Sequence, residues 1–350
     1  MDEHFDSLLL AFLRDPASYP HHPRELRELH THGSLVFVVP PLVYKIKKPV
    51  DLGFLDFSTL EKRRHFCERE VELNSRLAPG VYLGVESITR EDDGFAFGGS
   101  GPVVEWAVKM ECLPAGGFLD ARIKAGTAGE AELERVAQTL AAFYQKQRQT
   151  PEIATWGTIA KLRVSTDENF AQTEEFVGKT LSRTAFEAIR SFTNACYERR
   201  RERFERRVPE GWIRDCHGDL HLDHVHVTDD ELHIHDCIEF NDRFRYVDVA
   251  NDVAFLAMLL VIAFAIVRLN NLFAVVMLTG VYSLVSAVWL LVLDAVDVSF
   301  TEAAVGAGVS TVLMLGAMLL TAREAKPVSA SRQANRQGPT SRAPPPMHRV

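Results

Sequence analysis

The stretch CHGDLHLDHVHV, Cys216–Val227, puts four histidines, two aspartates and one cysteine into twelve residues. Two chemistries use such a string. A transition-metal site needs imidazoles converging at about 2 Å on one ion. His224 with His226, and His233 with His235, stand two apart, so in paired strands each couple shares a face. A hairpin of that kind can gather four imidazoles, but it leaves Asp219 and His221 without a task. His-x-His in a polar hairpin is more often a solvated face, which makes the metal cage the weaker reading.

Working outward, the chain has 350 residues, a net charge of -8 and five scattered cysteines with no CxxC pair. That suits two domains, reduced thiols and no general nucleic-acid partner. The start, MDEHFDSLLLAFLRD, is acidic and lacks the basic n-region of a signal peptide. Composition then splits the chain. Residues 1–252 are charge-rich and mixed. Residues 253–321 carry only Arg268, Asp294, Asp297 and Glu302, and residues 322–350 are rich in Lys, Arg and Pro with one acid, Glu324. Soluble domain, membrane module and disordered basic tail are the expected segments.

SLVFVV (34–39) and VYKIKK (43–48) read as strands joined through Pro40 and Pro41. Ser58, with Glu61 three residues later, reads as the capping box of a helix that ends at Pro79-Gly80 and puts Phe66, Glu70 and Leu73 near one face. VYLGVESI (81–88) and VVEWAVKM (103–110) read as strands, with EDDGFAFGGSG between them as a turn. AELERVAQTLAAFYQKQ is an amphipathic helix, and one long charged helix is expected from about Phe186 to Arg207. HVHV and ELHIHD (231–236) read as strands around an Asp229-Asp230 turn. The order implies a two-lobed α+β layout.

His217-Gly218-Asp219-Leu220-His221 resembles the catalytic loop of aminoglycoside-phosphotransferase-like kinases, a branch of the protein-kinase fold. IHDCIEFN (234–241) resembles the following metal-binding segment. The resemblance implies that Asp219 is aimed at the substrate hydroxyl, with His217 and His221 beside it, and that Asp236 holds magnesium. Lys45 and Lys47 leave the same strand face. One of them should reach the phosphates of ATP, with Lys47 preferred and Glu70 as its partner. MECLP (110–114) resembles the adenine-gripping hinge. Asp248 and Asp252 in DVANDVA resemble the element that braces the catalytic loop. VYKIKKPVDLGFLDFSTLEKRRHFCEREVELNSRLAP and DCIEFNDRFRYVDVANDVAFL resemble an uncharacterised bacterial branch of this family, some members of which carry a P-loop kinase domain. The resemblance covers about residues 5–257.

Two departures accompany it. His224 stands where most such kinases place a magnesium-binding Asn, and magnesium prefers oxygen; either Asp223 next door substitutes or one metal suffices. THGSLVFV has one glycine where a Gly-rich phosphate loop is usual.

Beyond Asp252 come VAFLAMLLVIAFAIV (253–267), LFAVVMLTGVYSLVSAVWLLVL (272–293) and AAVGAGVSTVLMLGAMLLT (303–321). A span needs about 20 residues, so the last two read as transmembrane helices and the first as either a core helix or a span. VRLNNLFAVV…DAVDVSFTEAAVGAG…LGAML resembles a small membrane domain of multi-subunit sodium/proton antiporters and membrane-bound hydrogenases. There Glu302, at the mouth of the third helix, is a candidate for proton or cation movement, or an ordinary interfacial charge.

The expected organisation is a kinase-like N-lobe (1–115), an incomplete C-lobe (116–257), a module of two or three transmembrane helices (258–321) and the tail (322–350). Such a chain sits in the cell inner membrane as a multi-pass protein, front domain cytoplasmic. Three spans would put the basic tail outside, against the positive-inside rule, whereas two spans keep it inside. Three readings stay open: an ATP- and Mg2+-dependent phosphotransferase acting on a small-molecule hydroxyl, a membrane subunit of an antiporter complex carrying a non-catalytic passenger, and an accidental fusion of two genes.

Overall fold

In the computed structural model, which describes residues 6–179, 181–268, 272–292 and 314, the front of the chain builds one twisted antiparallel sheet. After helix α1 (Ser7–Arg14) come β1 (Arg27–His30), β2 (Ser34–Val39) and β3 (Leu42–Lys47), then helix α2 (Leu60–Asn74), then β4 (Tyr82–Glu91), β5 (Gly94–Phe97) and β6 (Val103–Glu111). The strand order is β1-β2-β3-β6-β4-β5. β3 therefore lies inside the sheet, with Lys45 opposite Val36 on β2 and Val108 on β6.

Alternation along β3 sorts its side chains. Tyr44 and Ile46 enter the core shared with α1, beside Leu13, Tyr19 and Phe37. Lys45 and Lys47 leave the other face, where α2 packs across β6 and β4. The buried stripe of α2 runs Arg63, Cys67, Glu70, Leu73 and Asn74. Arg63 donates through Nε to both oxygens of Glu105 on β6, at 2.8 and 2.9 Å. Two expectations shift here. The α2 cap is Thr59, whose hydroxyl accepts from Lys62 N–H, while Ser58 turns back to Asp56. The expected EDDGFAFGGSG turn contains β5, because Gly94–Phe97 alternates well enough to pair with the end of β4.

The second lobe is helical with two small hairpins. It runs through α3 (Leu119–Lys124), α4 (Glu130–Lys146), α5 (Pro151–Trp156), α6 (Ile159–Glu174), α7 (Arg183–Arg199) and α8 (Arg201–Arg207). Then follow β7 (Ile213–Asp215), β8 (Val225–Val227), β9 (Leu232–Ile234) and β10 (Tyr246–Asp248). The one long charged helix expected near 186–207 is two. Arg200 leaves helical geometry at φ -109°, ψ 10° and separates α7 from α8. β7 pairs with β10 and β8 with β9, both antiparallel. The lobe is held by Val136, Leu140 and Phe143 of α4, Leu119 and Ile123 of α3, and the hairpin residues Val225, Val227 and Ile234.

That core is closed by α9 (Val249–Arg268), one unbroken helix. Its Phe255, Leu256 and Leu259 are buried among the lobe residues just named. The helix thus crosses the boundary expected at 257/258, and its first half is core. α10 (Leu272–Val292) packs back along α9 and reaches α6. Among the described residues, one helix is long and apolar enough to cross a membrane by length and composition, Val249–Ile266; Phe273–Ser283 is a shorter apolar stretch. The expected third span at 303–321, apart from Met314, lies outside the described residues. So do Asp294, Asp297, Glu302 and the basic tail.

Candidate active site

β7 delivers the chain to the histidine stretch, and glycine makes the turn. Gly218 sits at φ +89°, and a Cβ there would stand 3.0 Å from the Phe244 carbonyl oxygen. Two backbone amides at the turn, His217 N–H and Gly218 N–H, donate to the Asp252 carboxylate at 3.0 and 2.8 Å. Tyr144 O–H donates to the same carboxylate at 2.7 Å. Asp252 is fully buried at the start of α9, so the helix that closes the core also clamps the loop. Asp248 does different work: it pairs with Arg207 (Nη2 to Oδ1, 2.6 Å) and accepts from Ala250 N–H.

The ring of His217 is wedged inside the turn. Its Nδ1 accepts from Asp219 N–H at 3.2 Å, which leaves Nε2–H to donate to the His235 carbonyl at 2.9 Å. Burial pushes its pKa down to about 3, so the ring is neutral and in one tautomer. His217 is therefore a strut of the loop.

Asp219 faces the cleft. His221 Nε2 lies 2.8 Å from its Oδ1. His224 Nδ1 lies 2.9 Å from its backbone carbonyl and 3.8 Å from its Oδ2, and on its other side Nε2 is 3.5 Å from Asp236 Oδ2. Burial raises the Asp219 pKa, but His221 and His224 outweigh it and hold the carboxyl below its ordinary value. For His224 burial works downward, and Asp219 with Asp236 overrides it and raises the pKa. His224 thus stands between the two aspartates.

Asp236 has φ +62°, a left-handed conformation that costs a non-glycine residue about 1 kcal/mol or more. Its amide donates to the Tyr82 hydroxyl oxygen at 3.2 Å. Burial acts to raise its pKa, but Lys45 and His224 dominate and hold it ionised far below the usual carboxylate range. Lys45 Nζ is 2.7 Å from Asp236 Oδ1 and 2.9 Å from Glu70 Oε1. Lys47 Nζ is 2.7 Å from Glu70 Oε2 and also holds Glu239.

The two lysines therefore differ in depth. Lys47 is fully buried between two carboxylates, while Lys45 lines the cleft with Asp219 and Asp236. The face is the expected one and Lys47 makes the expected pair with Glu70, but it is Lys45 that lines the cleft, while Lys47 lies beneath Phe57. Glu239 went unrecognised in the sequence. Its signal was available, because two lysines on one buried strand face require more than one acid.

The cleft holds about 230 Å³. Its wall is the β1–β2 turn, Thr31 to Ser34, which is the one-glycine THGS stretch, and its floor is Phe54, Leu55 and Phe57. The amides of Glu111 and Cys112 in the MECLP run are spent on Val81 and Pro41 carbonyls.

The three metal candidates do not converge as a ready-made cluster. Among the described residues no three His, Cys, Asp or Glu side chains are so arranged. Asp223 is 67% exposed and stands 3.9 Å from His221, because the short turn Leu222–His224 rolls it outward. The hairpin histidines come together in couples, His224 with His235 at 5.7 Å and His226 with His233 at 6.3 Å between ring centroids, without converging on one point. His226 Nε2 meets the Pro114 carbonyl at 3.1 Å and His233 leans on Glu231.

Comparison with known proteins gives three kinds of likeness. The MbhD family model, which describes a component of MBH, matches residues 257–323, close to the membrane-domain resemblance of 258–321. The chain is also 34% identical over 234 residues to uncharacterized proteins of Mycobacterium tuberculosis (strain ATCC 25618 / H37Rv) and Mycobacterium bovis (strain ATCC BAA-935 / AF2122/97). The match covers 67% of this chain and 45% of each relative, so the chain spans under half of their length. A solved choline/ethanolamine kinase family protein from Mesorhizobium loti aligns over 88% of this chain and 95% of its own. It does so with 14% identity and a TM-score of 0.41, too weak a likeness to bear on activity.

Proposed function

We propose that the front domain is a kinase-like phosphotransferase unit that binds ATP with magnesium and transfers its terminal phosphoryl group to a small-molecule hydroxyl. The observation that supports this most is the meeting of Lys45, Asp219 and Asp236 in one cleft from sites far apart in sequence. Lys45 contacts the phosphates, held in place by Glu70. Lys47 and Glu239 fix Glu70 from behind. Asp219, already ionised, orients the acceptor hydroxyl and takes its proton as the oxygen bonds to phosphorus.

The donor set fits magnesium through oxygen, with Asp236 as the principal ligand. The His224 imidazole does not suit it. When bound, the ion would offset phosphate charge that Lys45 alone cannot balance. The open cleft is smaller than the roughly 300 Å³ at which ligand pockets begin, so nucleotide entry requires the Phe54–Phe57 floor to yield.

A second reading rests on the MbhD match. Residues 257–323 join a multi-subunit membrane complex of the antiporter or hydrogenase kind. On this reading α10 and 303–321 cross the membrane, α10 giving up the contacts with α9 and α6 that it makes here, which keeps the front domain and the basic tail on the cytoplasmic side. Met258 and Val261 of α9 and Phe273, Met277 and Val281 of α10 are exposed apolar side chains of the kind a bilayer covers.

The test of the first reading is equilibrium binding of a fluorescent ATP analogue with and without magnesium. Binding should need magnesium and weaken by about 100-fold or more in Asp236→Ala, close to 3 kcal/mol. Equal binding by wild type and variant, in either buffer, would sink the assignment.

A further inference from the structure

The second lobe holds another cavity, of about 710 Å³, that the cleft chemistry does not use. Its wall is α6 with Tyr197 of α7, its roof is α8, and its base is the β10–α9 junction from Tyr246 to Asn251. None of Lys45, Asp219 or Asp236 lines it.

Its charge is opposite in sign to that of the whole chain. The chain carries a net charge of -8, yet the cavity presents Lys161, Arg203, Arg207 and Arg243 against one carboxylate, Asp248. Arg207 is bound to Asp248 and Arg243 to Glu168. Lys161 lies over the Trp156 ring, 4.6 Å from its centroid, and among the described residues neither it nor Arg203 has a carboxylate partner. Two cations are thus left to face one cavity. Between them stand rings, namely Trp156, Tyr197, Phe204, Phe244 and Tyr246.

We propose that this cavity binds a small organic anion with a flat aromatic body. The volume falls within the roughly 300–1,000 Å³ of ligand pockets, most of whose lining is apolar with few charged groups to set orientation. Rings offer stacking surface, and two unpaired cations recognise a carboxylate or phosphate. The chain's own basic tail is a poor occupant, because its Lys and Arg repel the same cations.

The test is a fluorine NMR titration of the full-length chain in detergent micelles with meta-trifluoromethylbenzoate. Its neutral amide is titrated in parallel, and micelles alone serve as the blank. Saturable submillimolar binding of the benzoate is expected, weaker by about tenfold for the amide and by about tenfold or more in Lys161→Glu/Arg203→Glu. Both substituted positions are exposed, so the fold is not at stake. Absence of saturable binding overturns the proposal. So does equal affinity for amide and acid, or equal affinity in the double variant. Asp236→Ala should bind the benzoate as wild type does, which keeps this result separate from the fate of the phosphotransfer reading.

Discussion

The cleft and the α9–α10 pair stabilise themselves by opposite means. In the cleft, Lys47, Glu70 and Glu239 are buried charges made tolerable by each other, and Lys45 links them to the part-exposed Asp236. Removing any one of the buried three unbalances the rest. Along α9 beyond Asp252 the charges stop, and burial of Phe255, Leu256 and Leu259 is set against the open exposure of Met258 and Val261. One helix takes part in both arrangements. Its first turn clamps the His217–Gly218 turn, and its later turns fall within the stretch matched by the MbhD family. A polar anchor and an apolar docking face can therefore share one element when they occupy different turns.

The contrast can be broken at its charged end first. Glu70→Ala removes the carboxylate that two buried lysines share, leaving Asp236 to Lys45 and Glu239 to Lys47, and should cost about 3–5 kcal/mol of front-domain stability in urea unfolding. A loss below about 1 kcal/mol would mean the lysines re-pair freely. Asp252→Ala leaves two buried amides and the Tyr144 hydroxyl without their acceptor and should cost about 3 kcal/mol by the same measurement.

Acid sharpens the picture more gently. His217 is held neutral with its pKa near 3 and His235 near 4, both by burial, against 6.5 when unfolded. The unfolded chain then binds more protons, so stability falls as pH drops below 6.5. The fall is about 1.4 kcal/mol per pH unit for each such ring. The raised His224 acts in the opposite sense. His217→Asn should flatten the slope of unfolding stability measured between about pH 7 and about pH 5. The smallest effect is expected on the apolar face. Val261→Ser, at a position 71% exposed, should change stability by less than about 0.5 kcal/mol. A loss above about 1 kcal/mol would mean that this face is packed rather than open.

Much of the second lobe's centre could be read from the sequence because the chemistry is local. HGDLH and IHDCIEFN carry their own spacing, and alternation put Lys45 and Lys47 on one face toward Glu70. What escaped depends on depth or on distant partners. Alternation cannot say which of two lysines on a face is the outer one; that is set by Phe57 and Glu239, which arrive from other segments. β5 was hidden by the glycines around it, and the break at Arg200 by a run of good helix formers. The continuity of α9 was obscured for a different reason. Its composition is that of a span, and only packing against α3 and the hairpins shows half of it to be core.

The most direct test compares the two lysines. Magnesium-ATP affinity is measured by calorimetry for wild type, Lys45→Ala and Lys47→Ala, each first shown to be folded by circular dichroism. The account predicts that Lys45→Ala loses about tenfold or more in affinity, and that a folded Lys47→Ala loses less. Affinity unchanged in Lys45→Ala would contradict the assignment of this cleft to nucleotide phosphates.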